Sequence, residues 1–85
     1  MIIKLHKEFE KNFRRLKPSE KKKFKERRDL FIKDEFHPIL NNHALKGKYL
    51  GYRSINVAGD LRALYRKYGN TVVFTTVATH SNLYK

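Results

Sequence analysis

The chain contains no cysteine, so neither a disulfide nor a thiolate metal site is available, a composition that fits a reducing compartment. It also lacks a long apolar run. The opening stretch MIIKLHKEFEKNF holds no apolar segment long enough for a signal peptide or a membrane span, so a soluble cytoplasmic protein with no membrane partner is expected. Phosphate-cradling and dinucleotide-binding glycine motifs are missing, as are the HExxH pattern and any serine-triad context. The histidines are His6, His37, His43 and His80. None are paired at i, i+4, and a zinc site without thiolates needs three of them converging with a carboxylate. No metal and no small-molecule cofactor is expected. Internal repeats and low-complexity linkers are absent. Acidic residues are scarce: eight Asp and Glu face twenty Lys and Arg, a formal charge of +12 at pH 7.

What is present describes one folded domain over residues 1–85 with a modest core. High charge signals disorder only when large apolar residues are few, and here 40% of residues are hydrophobic and 13% aromatic. A folded domain this basic suits a polyanionic partner: nucleic acid, an acidic protein, or both. A surface that is merely well solvated is the competing reading of the same charge.

Thirteen of the twenty cations lie in residues 1–33, while the chain turns β-branched and aromatic from Gly51 onward. Met1–Leu5 is a short apolar run that reads as a first strand. Phe9, Phe13 and Leu16 recur at helical spacing and predict an amphipathic helix over about residues 6–16. Pro18 suits a helix start and Ser19 a cap, so a second helix is expected from Ser19 to Lys33. Asp34–Lys48 is punctuated by Pro38, Asn41, Asn42 and Gly47 and reads as an ordered loop. Gly51–Val57 alternates as a strand, and Ala58-Gly59-Asp60 turns. Leu61–Tyr68 follows as a strand with Arg62, Leu64 and Arg66 on one face and Leu61, Ala63 and Tyr65 on the other. Gly69-Asn70 is a hairpin signal. Thr71–Thr79 is nearly all β-branched, as suits a strand that is central or covered by helices. The order β-α-α-β-β-β predicts an α+β fold: two N-terminal helices packed on one face of a small antiparallel β-sheet, with the other face left for function.

The residue types available for chemistry are His43, Lys46, Lys48, Arg53, Asp60, Arg62, His80 and Tyr84. They suit RNA cleavage without a metal. A base takes the proton from a ribose 2′-OH, that oxygen attacks the adjacent phosphate, and an acid protonates the 5′-oxygen as it leaves. Histidine serves such transfers near neutral pH. Arginine matches the oxygens of a phosphate that gains charge. Aromatic rings hold splayed bases by stacking. For any one histidine a surface or structural role competes with catalysis, and for the lysines of the second helix so does simple solvation.

Beyond composition, an ordered set of short segments carries a resemblance. His43-Ala44-Leu45-Lys46-Gly47, Gly51-Tyr52-Arg53, Gly59-Asp60-Leu61-Arg62, Tyr65-Arg66 and Thr79-His80-Ser81-Asn82-Leu83-Tyr84 together resemble the RelE/ParE toxin superfamily. The likeness is strongest to its YafQ-type branch and covers residues 43–84. It implies a compact RelE-like microbial RNase fold. It also implies a toxin of a type II toxin–antitoxin pair that cleaves mRNA in the ribosomal A site and is held inactive by a cognate acidic antitoxin. Carried over residue by residue, His43, Asp60 and His80 match catalytic positions of that branch. Tyr84 matches its C-terminal aromatic, and Arg62 an arginine near the scissile phosphate in RelE-like strands. In this reading Lys21, Lys22, Lys25 and Arg28, with Arg14 and Arg15, hold ribosomal RNA phosphates, and Lys46, Lys48 and Arg53 add RNA contacts. Three positions depart from the pattern. Asn56 replaces a histidine, Leu61 an aromatic, and Thr76 stands near a position often held by arginine.

Two alternatives keep the fold and change the activity. One is a ParE-like inhibitor of DNA gyrase, which does not need the histidines. The other is a non-catalytic basic module that binds RNA or an acidic protein. The tail separates them: in a nuclease, His80 at the strand exit and Tyr84 beyond it are working parts, with Leu83 as the anchor.

Overall fold

A computed structural model describes residues 1–85. The chain runs β1 (Ile2–Leu5), α1 (Lys7–Arg14), α2 (Pro18–Lys33), β2 (His43–Ala44), β3 (Arg53–Ala58), β4 (Leu61–Tyr68), β5 (Thr71–Thr79) and α3 (His80–Leu83). Two single 3-10 turns, Pro38–Leu40 and Gly47–Tyr49, flank β2. The strands form one mixed sheet in the order β1-β5-β4-β3-β2.

The α+β architecture expected from the sequence is therefore present, with five differences of detail. First, β1 runs parallel to β5, Ile2 opposite Thr71 and Leu5 opposite Phe74, so the sheet is not wholly antiparallel. The β3–β4–β5 meander leaves one edge of β5 open and β1 closes it; apolar alternation carries no information about strand direction. Second, Ser19 does not cap α2. Pro18, with its preset φ, starts the helix one residue earlier, and the Lys17 amide donates to Glu20 Oε1 at 2.9 Å. Third, the segment 34–48 contains β2, a strand of two residues that exists only because β3 lies beside it. Fourth, the tail is a third helix, α3. Fifth, helix α1 is shorter than the apolar spacing suggests: His6 caps it, its Nδ1 accepting from the Glu8 amide at 3.0 Å.

Two apolar clusters sit on the two faces of the sheet. The larger joins Phe9 of α1 and Phe24 and Phe31 of α2 to Ile55, Val57, Leu61, Ala63, Tyr65, Val72, Phe74 and Val77. Its aromatic rings pack edge-on or tilted, Phe24 against Phe74 at 5.4 Å and Phe31 against Tyr65 at 5.0 Å between centroids. The smaller lies on the opposite face, where Leu64 of β4 meets Leu45 and Leu83, with Tyr49, Tyr52 and Ala78 around them. Residues Leu45–Tyr52 and helix α3 thus cover part of the face that α1 and α2 leave free. What they do not cover is the candidate site.

Candidate active site

Helix α3 holds His80 in place. At the exit of β5, Thr79 turns the chain and its Oγ1 accepts from the Asn82 amide at 3.2 Å. The His80 amide donates to the carbonyl of Asp60 at 2.9 Å, and the Ser81 hydroxyl donates to Asp60 Oδ2 at 3.3 Å. The β3–β4 turn and the start of α3 are therefore stitched together. Leu83 is buried on the open face, and Tyr49 Oη donates to its carbonyl at 3.1 Å. The Tyr84 ring then packs tilted against His80, 4.7 Å between centroids, and meets Tyr49 edge-on at 5.6 Å. The tail is docked, and the His80 ring makes no hydrogen bond within the protein.

Strand register sets the rest. Arg62 of β4 lies opposite Asn56 of β3 and Ala78 of β5, on the open face; its Nη1 donates to the Gly59 carbonyl at 2.9 Å. Asn56 Oδ1 is buried there without a hydrogen-bond partner. One row along, His43 of β2 lies opposite Ser54, and Ser54 opposite Leu64. His43 is thus on the same face as Arg62, two strand spacings or roughly 10 Å across the sheet. No hydrogen bond joins His43 to His80 or Asp60. Instead His43 Nδ1 lies 2.8 Å from the Asn41 carbonyl. A carbonyl only accepts, so Nδ1 carries the proton and, in the neutral ring, Nε2 keeps its lone pair. His6 and His37 have the reverse arrangement, their Nδ1 atoms accepting backbone amides.

The other candidates divide between faces. Lys46 and Lys48 are exposed beside the site, with Lys48 Nζ 5.2 Å above the Tyr49 ring. Arg53 turns to the helical side, where its Nε donates to Asn42 Oδ1 at 2.9 Å and its guanidinium lies 5.4 Å from the Phe36 ring. Asn42 also meets the buried Tyr65 hydroxyl at 2.8 Å, and burial pushes the pKa of that hydroxyl upward. Lys21, Lys22, Lys25 and Arg28 are on α2, behind the sheet; Arg28 is bonded to its neighbour Asp29. Of the departures from the family pattern, Asn56 lies beside Arg62 and Thr76 lines the adjoining groove. Leu61 is in the main core, and Thr76 Oγ1 accepts from Asn12 of α1 at 3.0 Å.

One part of the open face is not singled out by the sequence reading. A groove of about 550 Å³ runs beside Tyr49 and Leu64 toward Tyr52, Arg66 and Tyr68. A signal for it exists in the chain: the same two-residue alternation that aligns Arg62 with Arg66 extends to Tyr68. No group of three or more His, Cys, Asp or Glu side chains converges to hold a metal, and no helix is long and apolar enough to cross a membrane.

No curated protein sequence matches the chain. The profile of one family, described as the bacterial toxin of type II toxin–antitoxin system, YafQ, matches residues 1–85. Solved structures agree on the fold. YafQ from E. coli strain BL21(DE3) superposes with a TM-score of 0.80 at 22% identity, covering 98% of this chain and 97% of that one. YafQ in the E. coli DinJ–YafQ toxin–antitoxin complex gives 0.79 at 22% identity over 98% and 96%. A YoeB/ParE toxin from Agrobacterium tumefaciens gives 0.77 at 18% identity over 94% and 99%.

Proposed function

Because this chain belongs to the YafQ family of bacterial type II toxin–antitoxin toxins, we propose that it is an endoribonuclease that cleaves mRNA on the ribosome. The observation that carries the reading is the pair of exposed histidines, one with its ring held by a backbone carbonyl and the other with its ring unbonded. His43 is tied through Nδ1–H to Asn41, so its Nε2 is a ready base. The His80 ring, tilted against Tyr84, makes no hydrogen bond within the protein, and its nitrogens are open to substrate.

The steps follow from that arrangement. His43 takes the proton of the ribose 2′-OH, whose oxygen attacks the adjacent phosphorus. Arg62, with its second Nη and its Nε uncommitted in the sheet, neutralises the charge that gathers on the phosphate oxygens. His80 gives its proton to the departing 5′-oxygen, leaving a 2′,3′-cyclic phosphate and a 5′-OH. Asp60 holds His80 through the backbone and Ser81 rather than through the ring, so it is a positioning residue. Tyr84 orients the His80 ring and offers a face to a base.

The E. coli relative solved with DinJ as a toxin–antitoxin complex supports an antitoxin partner here too, and the +12 charge supports an acidic one that binds fast and neutralises the surface. The cations of α2 face away from the site and suit ribosomal RNA phosphates.

The test is induced expression followed by mapping of mRNA ends. Cleavage with cyclic-phosphate termini is expected, and His80→Ala should slow it by about 10²–10⁴-fold. Undiminished cleavage by His80→Ala would sink the assignment.

A further inference from the structure

The groove beyond the histidines has a composition that the cleavage step does not use. Arg66 lies there on β4, four residues or about 13 Å along the strand from Arg62. Its guanidinium packs 4.9 Å from the Tyr52 ring and 5.8 Å from the Tyr68 ring, and against Gly51, where an added Cβ would lie 3.2 Å from Nη2. Yet no hydrogen bond or ion pair within the protein engages it. This contrasts with Arg53, held by Asn42, with Arg62, bonded to the Gly59 carbonyl, and with Arg28, bonded to Asp29.

Arg66 is thus held by two rings and a glycine while no N–H of its guanidinium has a hydrogen-bond partner in the chain. Tyr68 is 57% exposed, so one aromatic face beside it is open. Lys48 and His6 also line the groove, and Glu8 is its one carboxylate. A fixed, unpaired guanidinium beside an open ring matches a nucleotide: the phosphate takes the fork of donors and the base stacks. An acidic peptide would use the charge but leave the exposed ring idle.

We propose that Arg66, Tyr68 and Tyr52 form a second subsite that holds a nucleotide of single-stranded RNA flanking the one cleaved. The proposal rests on the nuclease reading for its place along the strand, but it is a binding claim and is tested without cleavage. The probe is a fluorescein-labelled 2′-O-methyl RNA hexamer, which has no attacking hydroxyl, titrated with the full chain by anisotropy.

Tyr68→Ala and Arg66→Gln should each weaken hexamer binding about tenfold or more, and Tyr68→Phe should bind as the parent does. Arg66→Gln should also lower the slope of log affinity against log salt by about 0.7. A blunt-ended duplex with no unpaired bases should bind more weakly than the hexamer and be indifferent to Tyr68→Ala, because its bases are already stacked. Equal hexamer affinity for the parent and Tyr68→Ala overturns the subsite, as does an oligoglutamate peptide that loses as much affinity as the RNA. The two readings fail separately. A parent that cuts mRNA but is blind to Tyr68→Ala loses only the subsite. A parent that binds the hexamer through Arg66 and Tyr68 but never cuts keeps the subsite and loses the nuclease.

Discussion

Single residues decide which chemistry the open face can do. His43 and His80 are both exposed, and sequence alone does not divide acid from base between them. The Asn41 carbonyl accepts from His43 Nδ1 and so fixes the tautomer of that ring, which is what makes His43 the base in the proposed mechanism. Asn41 itself sits at a φ of 46°, a left-handed conformation that Asn tolerates better than most side chains. His43→Gln should therefore abolish the base while keeping a side chain of similar reach, and mRNA cleavage should fall by about 10²-fold or more. Tyr65 offers a second test on the helical side. Burial raises its hydroxyl pKa above the ordinary value of about 10. The folded protein therefore keeps its proton at a pH where the unfolded chain has released it. Stability from this group is intact below about pH 10 and is lost as pH rises through the folded value. Denaturant midpoints should fall above pH 10 in the parent and fall less steeply in Tyr65→Phe.

At the scale of elements, α3 ties function to stability. It is four residues long, too short to stand without its contacts. Leu83 buries itself against Leu45 and Leu64, and Asp60 receives the first turn. Leu83→Ala should cost about 2–3 kcal/mol, toward the lower end for a buried leucine because the site is near a chain end and can relax. It should also free the Tyr84 ring from His80, so cleavage should drop more than the fraction of folded protein does; calorimetry and a cleavage assay on one preparation separate the two. Deleting His80–Lys85 goes further. RNA cleavage should vanish while the Phe9–Phe24–Phe74 cluster keeps the main fold, seen as retained far-ultraviolet dichroism with a lower melting temperature. Phe24→Ala, by contrast, removes a ring from the middle of that cluster and should cost about 3–5 kcal/mol.

Over the whole molecule the charge is spread on two sides of the sheet rather than gathered in one patch. The front carries Lys46, Lys48, Arg62 and Arg66; the back carries the cations of α2 and the engaged Arg53. On the proposed function, a single short RNA strand would touch only the front, whereas a large polyanion such as a ribosomal cleft would reach both. Replacing Lys22 and Lys25 by Glu should weaken cosedimentation with ribosomes and its salt dependence, yet leave hexamer binding within about twofold, since exposed charges farther apart than the Debye length of about 8 Å are largely screened. Equal losses in both assays would mean that the two faces act as one surface.

Much of the fold is legible in the chain itself. The apolar period of Phe9 and Phe13 marks α1 (though it runs on to Leu16, past the helix end), Gly69-Asn70 marks the β4–β5 turn, and the β-branched run Thr71–Thr79 marks a strand that proves to lie inside the sheet. Alternation along β4 is enough to put Arg62 and Arg66 on one face, and the excess of cations is enough to make the surface basic. These features are local, or are sums over composition, and neighbours along the chain suffice to set them. The parallel docking of β1, the two-residue β2, the seating of the third helix on Leu45 and Leu64 and the Tyr49–Tyr84 contact are pairings between residues far apart in sequence. So is the packing of the Arg66 guanidinium on Tyr52. Their energy comes from surfaces that meet only once the sheet has formed, and only the tertiary structure could decide them.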